Sequence, residues 1–115
     1  MKAHIVLYVG AGMTKDGNFI SRMGRDVALA VVETAICNVA GGFTRTEVIG
    51  GWIDGEGKLI KEPAYKVEII YDNVKNDAPK VALLLGKVAR KAFNQAEVLI
   101  ELIDGVTTLT SSRAY

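Results

Sequence analysis

Apolar and polar residues alternate in four segments of the chain, and this alternation predicts β-strands. The first segment, residues 2–9 (KAHIVLYV), is short, apolar and rich in β-branched residues. Residues 43–52 and 58–71 flank a turn sequence at 54–57, which predicts a hairpin. The fourth segment, residues 97–104, places Val98, Ile100 and Leu102 on one face. From about residue 105 the chain is polar and forms either a tail or a short extra strand.

A longer apolar run after the first strand has the spacing of an amphipathic helix. The helix begins near Asn18 or Ser21, either of which can cap it, and runs to about Val39 before a pair of glycines. Cys37, the only cysteine, lies in this run, and we expect its thiol to be buried and inert. The predicted apolar face comprises Val27, Ala28, Val31, Val32, Ala35, Ile36 and Val39.

A second helix follows the hairpin and has the most regular apolar spacing in the chain. Asn76 or Asp77 can cap it, and Pro79 lies in its first turn, where proline is tolerated. Its predicted apolar stripe comprises Val81, Leu84, Leu85, Val88, Ala89 and Ala92.

The resulting order, β-α-β-β-α-β, predicts a ferredoxin-like α+β fold. In this fold a four-stranded antiparallel sheet has both helices on one face. At 115 residues we expect one domain, spanning residues 1–115. Neither face of the predicted sheet is wholly polar, so we expect the second face to pack against other subunits.

Composition narrows the classes of partner. Half of the residues are hydrophobic and the mean hydropathy is +0.22, an apolar surplus that favours a homo-oligomer. The net charge of +1 disfavours nucleic acid, which needs clustered positive charge. We find no signal peptide and no stretch of the ~20 apolar residues that span a bilayer. We therefore expect a cytoplasmic protein with no membrane partner.

The predicted hairpin carries the most informative candidate site residues. Trp52 ends one strand after two glycines, and is either a core or interface aromatic or a stacking surface for a base or cation. Glu62 precedes Pro63 on the next strand, and is either a solvated carboxylate or a fixed negative charge facing a cationic ligand. Because the two strands are partners, we expect Trp52 and Glu62 to meet at one edge.

Other candidates are weaker. Gly10 and Gly12 lack the third glycine of a dinucleotide loop, so they predict a simple loop whose backbone can approach a ligand. Tyr8 and Tyr65 are either packing residues or aromatic walls of a site, and His4 has no evident partner in the sequence. We find no catalytic triad, metal-ligand pair or phosphate loop, so no metal and no cofactor is expected.

Two groups of small proteins resemble this chain over these motifs. One is a widespread bacterial domain family of unknown function, with a Leu-Tyr-Phe-Gly strand end, a Gly-x-Trp step and a Glu-Pro-Ser-like step. The equivalents here are residues 7–10, 50–52 and 62–64. The other is the phage-encoded S-adenosylmethionine lyases, formerly called hydrolases. They have the same element order, with an aromatic residue and a glutamate at the places of Trp52 and Glu62.

The second resemblance implies a function. It implies a homotrimer with sites between subunits, which cleaves S-adenosylmethionine to methylthioadenosine and homoserine lactone, in the host cytoplasm if the gene is a phage gene. Glu62 would be the catalytic carboxylate, and Trp52, Tyr65, Tyr8, Gly10 and Gly12 would contact the ligand. Two alternatives stay open: a non-catalytic oligomer that sequesters or senses a nucleotide-like metabolite, and a purely structural oligomer. We favour the enzyme.

Overall fold

The structure is a computed structural model, and it describes residues 2–72, 77–104 and 108–114. Its elements, in chain order, are β1 (Lys2–Gly10), α1 (Arg22–Ala40), β2 (Thr44–Ile53), β3 (Leu59–Asp72), α2 (Ala78–Ala92), β4 (Val98–Asp104) and β5 (Thr108–Ala114). The boundaries of the first four strands differ from the predicted ones by no more than one residue.

The strands form one antiparallel sheet in the order β2-β3-β1-β4-β5. The first four strands in that order, with the two helices, confirm the predicted ferredoxin-like α+β fold. The polar C-terminal segment is the extra strand rather than a tail, because β5 pairs with β4 along its whole length. The fifth strand therefore takes over the sheet edge that β4 would otherwise expose.

The register between β1 and β3 separates the two faces of the sheet. Ile5 and Leu7 pair with Ile69 and Val67, and all four side chains are fully buried on the face that carries the helices. Their neighbours along the strands lie on the other face, called the open face: His4, Tyr8, Lys66, Glu68 and Ile70. The predicted alternation in the third strand is therefore confirmed.

Helix α1 begins and ends with the predicted signals. Ser21 is the N-cap, and its Oγ accepts a hydrogen bond of 3.0 Å from the backbone N–H of Gly24. Ser21 rather than Asn18 is therefore the capping residue. After the helix, Gly41 adopts a left-handed conformation (φ 88°), which glycine accommodates without strain.

Only a narrow side of α1 enters the core. The buried residues are Ala28, Leu29, Val32 and Ile36. Val27 and Val31, which we predicted on the apolar face, are 60% and 51% exposed. The predicted burial of Cys37 is wrong, because its side chain is exposed. The helix is apolar over more of its circumference than the sheet can cover, so three of the seven residues of the predicted face remain exposed.

Helix α2 packs more deeply on the sheet. Asp77 occupies its N-cap position with Pro79 in the first turn, whereas Asn76, the alternative cap, lies outside the described residues. Leu85 is 1% exposed, but Leu84, also predicted in the stripe, is 53% exposed. The stripe is therefore rotated toward a set of small residues, which allow close packing: Ala78, Ala82, Gly86 and Ala89.

Adjacent leucines on α2 provide a matched test of this packing. We expect Leu85→Ala to lower the free energy of unfolding by about 2–5 kcal/mol, because it leaves a cavity in the core. Leu84→Ala removes the same atoms from a largely exposed position and is expected to cost about 1 kcal/mol or less. Urea denaturation of both variants measures the difference, and equal losses would contradict the orientation of the helix.

Candidate functional site

Trp52 and Glu62 lie on the same face of the β2–β3 hairpin. The register sets Gly50 opposite Glu62 and Trp52 opposite Ile60, so Trp52 is the diagonal neighbour of Glu62. Diagonal pairs of this kind are roughly 7–8 Å apart, within reach of an aromatic side chain. Gly50 adds no side chain between them, so the surface between the ring and the carboxylate is bare backbone.

The carboxylate of Glu62 lies under the loop that follows β1. The backbone N–H of Met13 donates a hydrogen bond to it, and the N–H of Ala11 donates to the carbonyl of Pro63 at 2.9 Å. A Cβ atom built on Gly10 would lie 2.7 Å from Oε1 of Glu62, and one built on Gly12 would lie 2.8 Å from Cβ of Glu62. Glycine at both positions is therefore what lets the loop approach Glu62 so closely.

Gln95 completes this arrangement, and our sequence reasoning missed it. Its Nε2 donates hydrogen bonds to the carbonyls of Met13, at 2.7 Å, and Phe93, at 3.0 Å. Its Oε1 lies 2.9 Å from the same Cβ position on Gly10 that meets Glu62. Gln95 thus ties the loop after β1 to the turn after α2. No motif in the sequence marks this residue, because its partner Met13 is far from it along the chain.

The environment of Glu62 raises its pKa above the ordinary 4.5. The main cause is desolvation by the surrounding chain, and the Met13 hydrogen bond opposes it. The described residues form no salt bridge to Glu62, and their ion pairs lie elsewhere on the sheet. Binding of a cation beside this carboxylate would therefore be favourable, because the cation would compensate a negative charge that no described residue pairs with.

The hairpin around Glu62 is apolar at its surface. Ile49, Ile53 and Leu59 are each more than half exposed, and Trp52 is 47% exposed. A shallow depression of about 520 Å³ is lined by Ile49, Gly50, Gly51, Leu59, Lys61, Glu62 and Pro63. Its side chains Ile49, Leu59, Lys61 and Pro63 alternate with Trp52 and Glu62 along the strands, so the depression lies on the opposite face of the hairpin. Exposed apolar surface beside a carboxylate is typical of an interaction or ligand site.

The two tyrosines predicted as ligand contacts lie in different places. Tyr65 is buried on the helix side of the sheet, where its ring is 5.9 Å from that of Phe93 and 5.7 Å from the guanidinium carbon of Arg45. Tyr8 is half-buried on the open face, opposite Lys66 and further along the sheet from Glu62. The structure thus brings together Glu62, Gly10 and Gly12, sets Trp52 beside them, and leaves both tyrosines apart from that group.

His4 has a partner that the sequence did not reveal. Its Nε2 lies 3.3 Å from Oε2 of Glu68, whose Oε1 lies 3.5 Å from Nζ of Lys66. This cluster lies on the open face. Among the described residues no three His, Cys, Asp or Glu side chains are grouped as metal ligands would be. Neither described helix combines the length and apolarity needed to cross a bilayer.

Comparison with known proteins gives matches at the level of structure. No family model matches the chain, and no curated protein sequence matches it. A phage S-adenosylmethionine lyase in complex with S-methyl-5′-thioadenosine superposes with a TM-score of 0.65 at 21% identity, covering 98% of this chain and 90% of that one. A phage S-adenosylmethionine lyase in the apo state gives 0.62 at 18% identity, covering 97% and 89%.

These likenesses confirm the resemblance to phage S-adenosylmethionine lyases over nearly the whole chain. At such identities the likeness establishes a shared fold.

The loop over Glu62 can be tested through its glycines. We expect Gly12→Ala to destabilise the protein by about 1–3 kcal/mol, because the new methyl group meets Cβ of Glu62 and Cδ of Pro63, which cannot swing away. Gly55→Ala is the control, since nothing lies within 4 Å of that position. Thermal or urea unfolding measures both variants, and a Gly12→Ala protein as stable as the control would contradict the close approach.

The raised pKa of Glu62 has a consequence for stability. Because the folded state raises this pKa, the contribution of Glu62 to stability is greatest at low pH and is lost as the pH rises through the raised pKa. We expect Glu62→Gln to melt slightly above the wild type at neutral pH, where only the wild type bears the desolvated charge. The difference should shrink as the pH falls through the raised pKa and vanish below 4.5, where Glu62 is protonated in both the folded and the unfolded states. A difference in melting temperature that is constant across this range would contradict the desolvation.

Proposed function

We propose that this protein is an S-adenosylmethionine lyase, which forms methylthioadenosine and homoserine lactone at a site between subunits of a cytoplasmic homotrimer. The observation that carries the proposal is the half-buried carboxylate of Glu62, which has no salt bridge among the described residues and lies beside Trp52 on an exposed apolar hairpin. The fold shared with phage S-adenosylmethionine lyases, one of them in complex with S-methyl-5′-thioadenosine, supports the choice of ligand.

The reaction needs no external base. An oxygen of the substrate's own carboxylate forms a bond to its γ-carbon while the bond from that carbon to sulfur breaks. The electron pair of the broken bond stays on sulfur, which leaves as the neutral thioether methylthioadenosine, and the five-membered lactone closes. No proton is transferred, so the protein's task is to hold the folded conformer in which the carboxylate faces the γ-carbon.

Glu62 and Trp52 are suited to that task in different ways. The negative charge of Glu62 attracts the cationic part of the substrate and orients it, and desolvation strengthens this attraction relative to bulk water. The exposed ring of Trp52 offers a flat face for adenine or for the sulfonium. The positive charge on sulfur is smaller in the transition state than in the substrate, because the breaking bond returns its electron pair to sulfur. The contribution of Glu62 is therefore one of orientation rather than of charge stabilisation.

The oligomer in this proposal is supported by exposed apolar surface. Met23, Val27 and Val31 follow one another at four-residue spacing on the outer side of α1 and are each at least half exposed. Ile49, Ile53 and Leu59 add a second exposed group on the hairpin. Contact between copies would cover these side chains. A site at such a contact would also exclude water, which strengthens the electrostatic interactions that hold the substrate.

Incubation of the folded protein with S-adenosylmethionine tests the proposal directly. We expect methylthioadenosine and homoserine lactone by mass spectrometry, and a loss of about a hundredfold in kcat/KM for Glu62→Gln. Glu56→Gln, in the exposed turn of the hairpin, removes a carboxylate of the same kind and should retain activity.

Two other outcomes would contradict the proposed enzymatic activity. Intact substrate after prolonged incubation, together with a ligand-dependent rise in melting temperature, would instead support a protein that sequesters or senses the metabolite. Intact substrate with no shift from any nucleotide-like compound would support a purely structural oligomer.

A further inference from the structure

Two side-chain oxygens converge on the backbone of Gly10, on the same face of the sheet as Trp52. A Cβ atom built on Gly10 would lie 2.7 Å from Oε1 of Glu62 and 2.9 Å from Oε1 of Gln95. Both oxygens therefore face one small space at the end of β1, and glycine leaves that space open. Glu62, Gln95 and Gly10 are all partly exposed, so a ligand can reach this space from solvent.

The orientation of the Gln95 amide is fixed by its nitrogen. Nε2 carries two N–H groups, and it donates to the carbonyls of Met13, at 2.7 Å, and Phe93, at 3.0 Å. A flipped amide would set its oxygen against both carbonyls, so Oε1 is the atom that faces the space above Gly10. Among the described residues, no hydrogen bond is donated to this oxygen. Gln95 therefore offers a positioned acceptor in addition to holding the loop.

Two acceptors that face the same space are both satisfied only by a donor placed between them. An amide oxygen cannot donate to a carboxylate, so Glu62 and Gln95 do not satisfy each other through these oxygens. The carboxylate of Glu62 also has no salt bridge within the described ranges. A cation that carries hydrogen-bond donors would compensate the charge and occupy both acceptors together.

A primary ammonium meets these requirements better than other cations. It has three N–H donors, and hydrogen bonds of about 2.9 Å that radiate from one nitrogen can reach both oxygens. A sulfonium has no N–H group, so it would use the charge of Glu62 and leave the Gln95 oxygen without a donor. Hard metal ions take about six or more oxygen ligands, whereas the described part of the chain groups no three acidic, His or Cys side chains.

We propose that Gln95 acts with Glu62 to bind the α-ammonium of the ligand, and so selects ligands that carry a primary amine. This inference rests on the proposed function, because S-adenosylmethionine carries such an ammonium. It deepens that function by assigning which of the two cationic groups of the substrate faces Glu62. The sulfonium is then left to the exposed ring of Trp52. With the ammonium held, the carboxylate on the same carbon is free to turn toward the γ-carbon that it attacks.

Two ligands that differ in this ammonium alone provide the test. S-adenosylhomocysteine carries it and is a neutral thioether, whereas the deaminated analogue of that compound has a hydrogen atom in its place. Calorimetric titration of the wild type should show that S-adenosylhomocysteine binds about tenfold more tightly than the analogue. In Gln95→Met this preference should fall to about threefold or less, while the affinity for the analogue stays within about twofold of the wild type.

Two further variants separate contact with the ligand from support of the loop. Thr14→Val removes a hydroxyl that accepts a 3.2 Å hydrogen bond from the backbone N–H of Asn18 in the same loop, and it should keep the wild-type preference. Gln95→Lys retains a donor for the carbonyls that Gln95 holds, but it replaces the acceptor with a positive charge. It should abolish the preference for S-adenosylhomocysteine, because like charges repel.

Three results would overturn this assignment and leave the proposed function standing, since cleavage of S-adenosylmethionine is measured separately. Equal affinity of the wild type for the two ligands would mean that the ammonium is not recognised. A loss of affinity in Gln95→Met by the same factor for both ligands would mean that Gln95 only holds the loop. An undiminished preference in Gln95→Met would mean that Gln95 does not contact the ammonium. If instead the wild type binds neither ligand and leaves S-adenosylmethionine intact, the proposed function and this assignment fail together.

Discussion

The antiparallel register of β1 with β3 is the constraint on which the core and the candidate site both depend. It sets Leu7 beside Val67 under the helices, and it sets Gly10 opposite Ala64 at the end of the strand. From there the chain turns across Glu62, which is possible only because Gly10 and Gly12 lack side chains. A shift of one residue would reverse the two faces and move the loop away from the carboxylate.

The loop after β1 partly desolvates the carboxylate of Glu62. Its carboxylate loses water to the backbone of residues 10–13 and receives in return one backbone hydrogen bond from Met13. Gln95 holds the same backbone from the other side through the Met13 carbonyl. The protein thus keeps a partly desolvated carboxylate in place without a cation of its own among the described residues, an arrangement that suits a positively charged ligand.

The distribution of apolar surface is consistent with a protein that functions as more than one copy. A chain of this size has a core that takes one side of each helix and one face of the sheet. The remaining apolar residues of α1 and of the hairpin stay exposed, and Ile49 and Leu59 of the hairpin line the depression on its surface.

Local pattern alone determined the order of elements, the strand boundaries to within one residue, the alternation of faces along β3, and the pairing that puts Trp52 near Glu62. These features follow from side-chain alternation and backbone preferences, which act between near neighbours in the chain. Local pattern did not decide whether the C-terminal segment is a strand or a tail.

Only the tertiary structure decided that Leu84 and Cys37 are exposed and that Tyr65 lies in the core. It also decided that the Met13 backbone bonds both Glu62 and Gln95. Those outcomes depend on how far each helix rotates against the sheet and on which distant loops come together. Such contacts join residues far apart in the chain, so periodicity in the sequence carries no record of them.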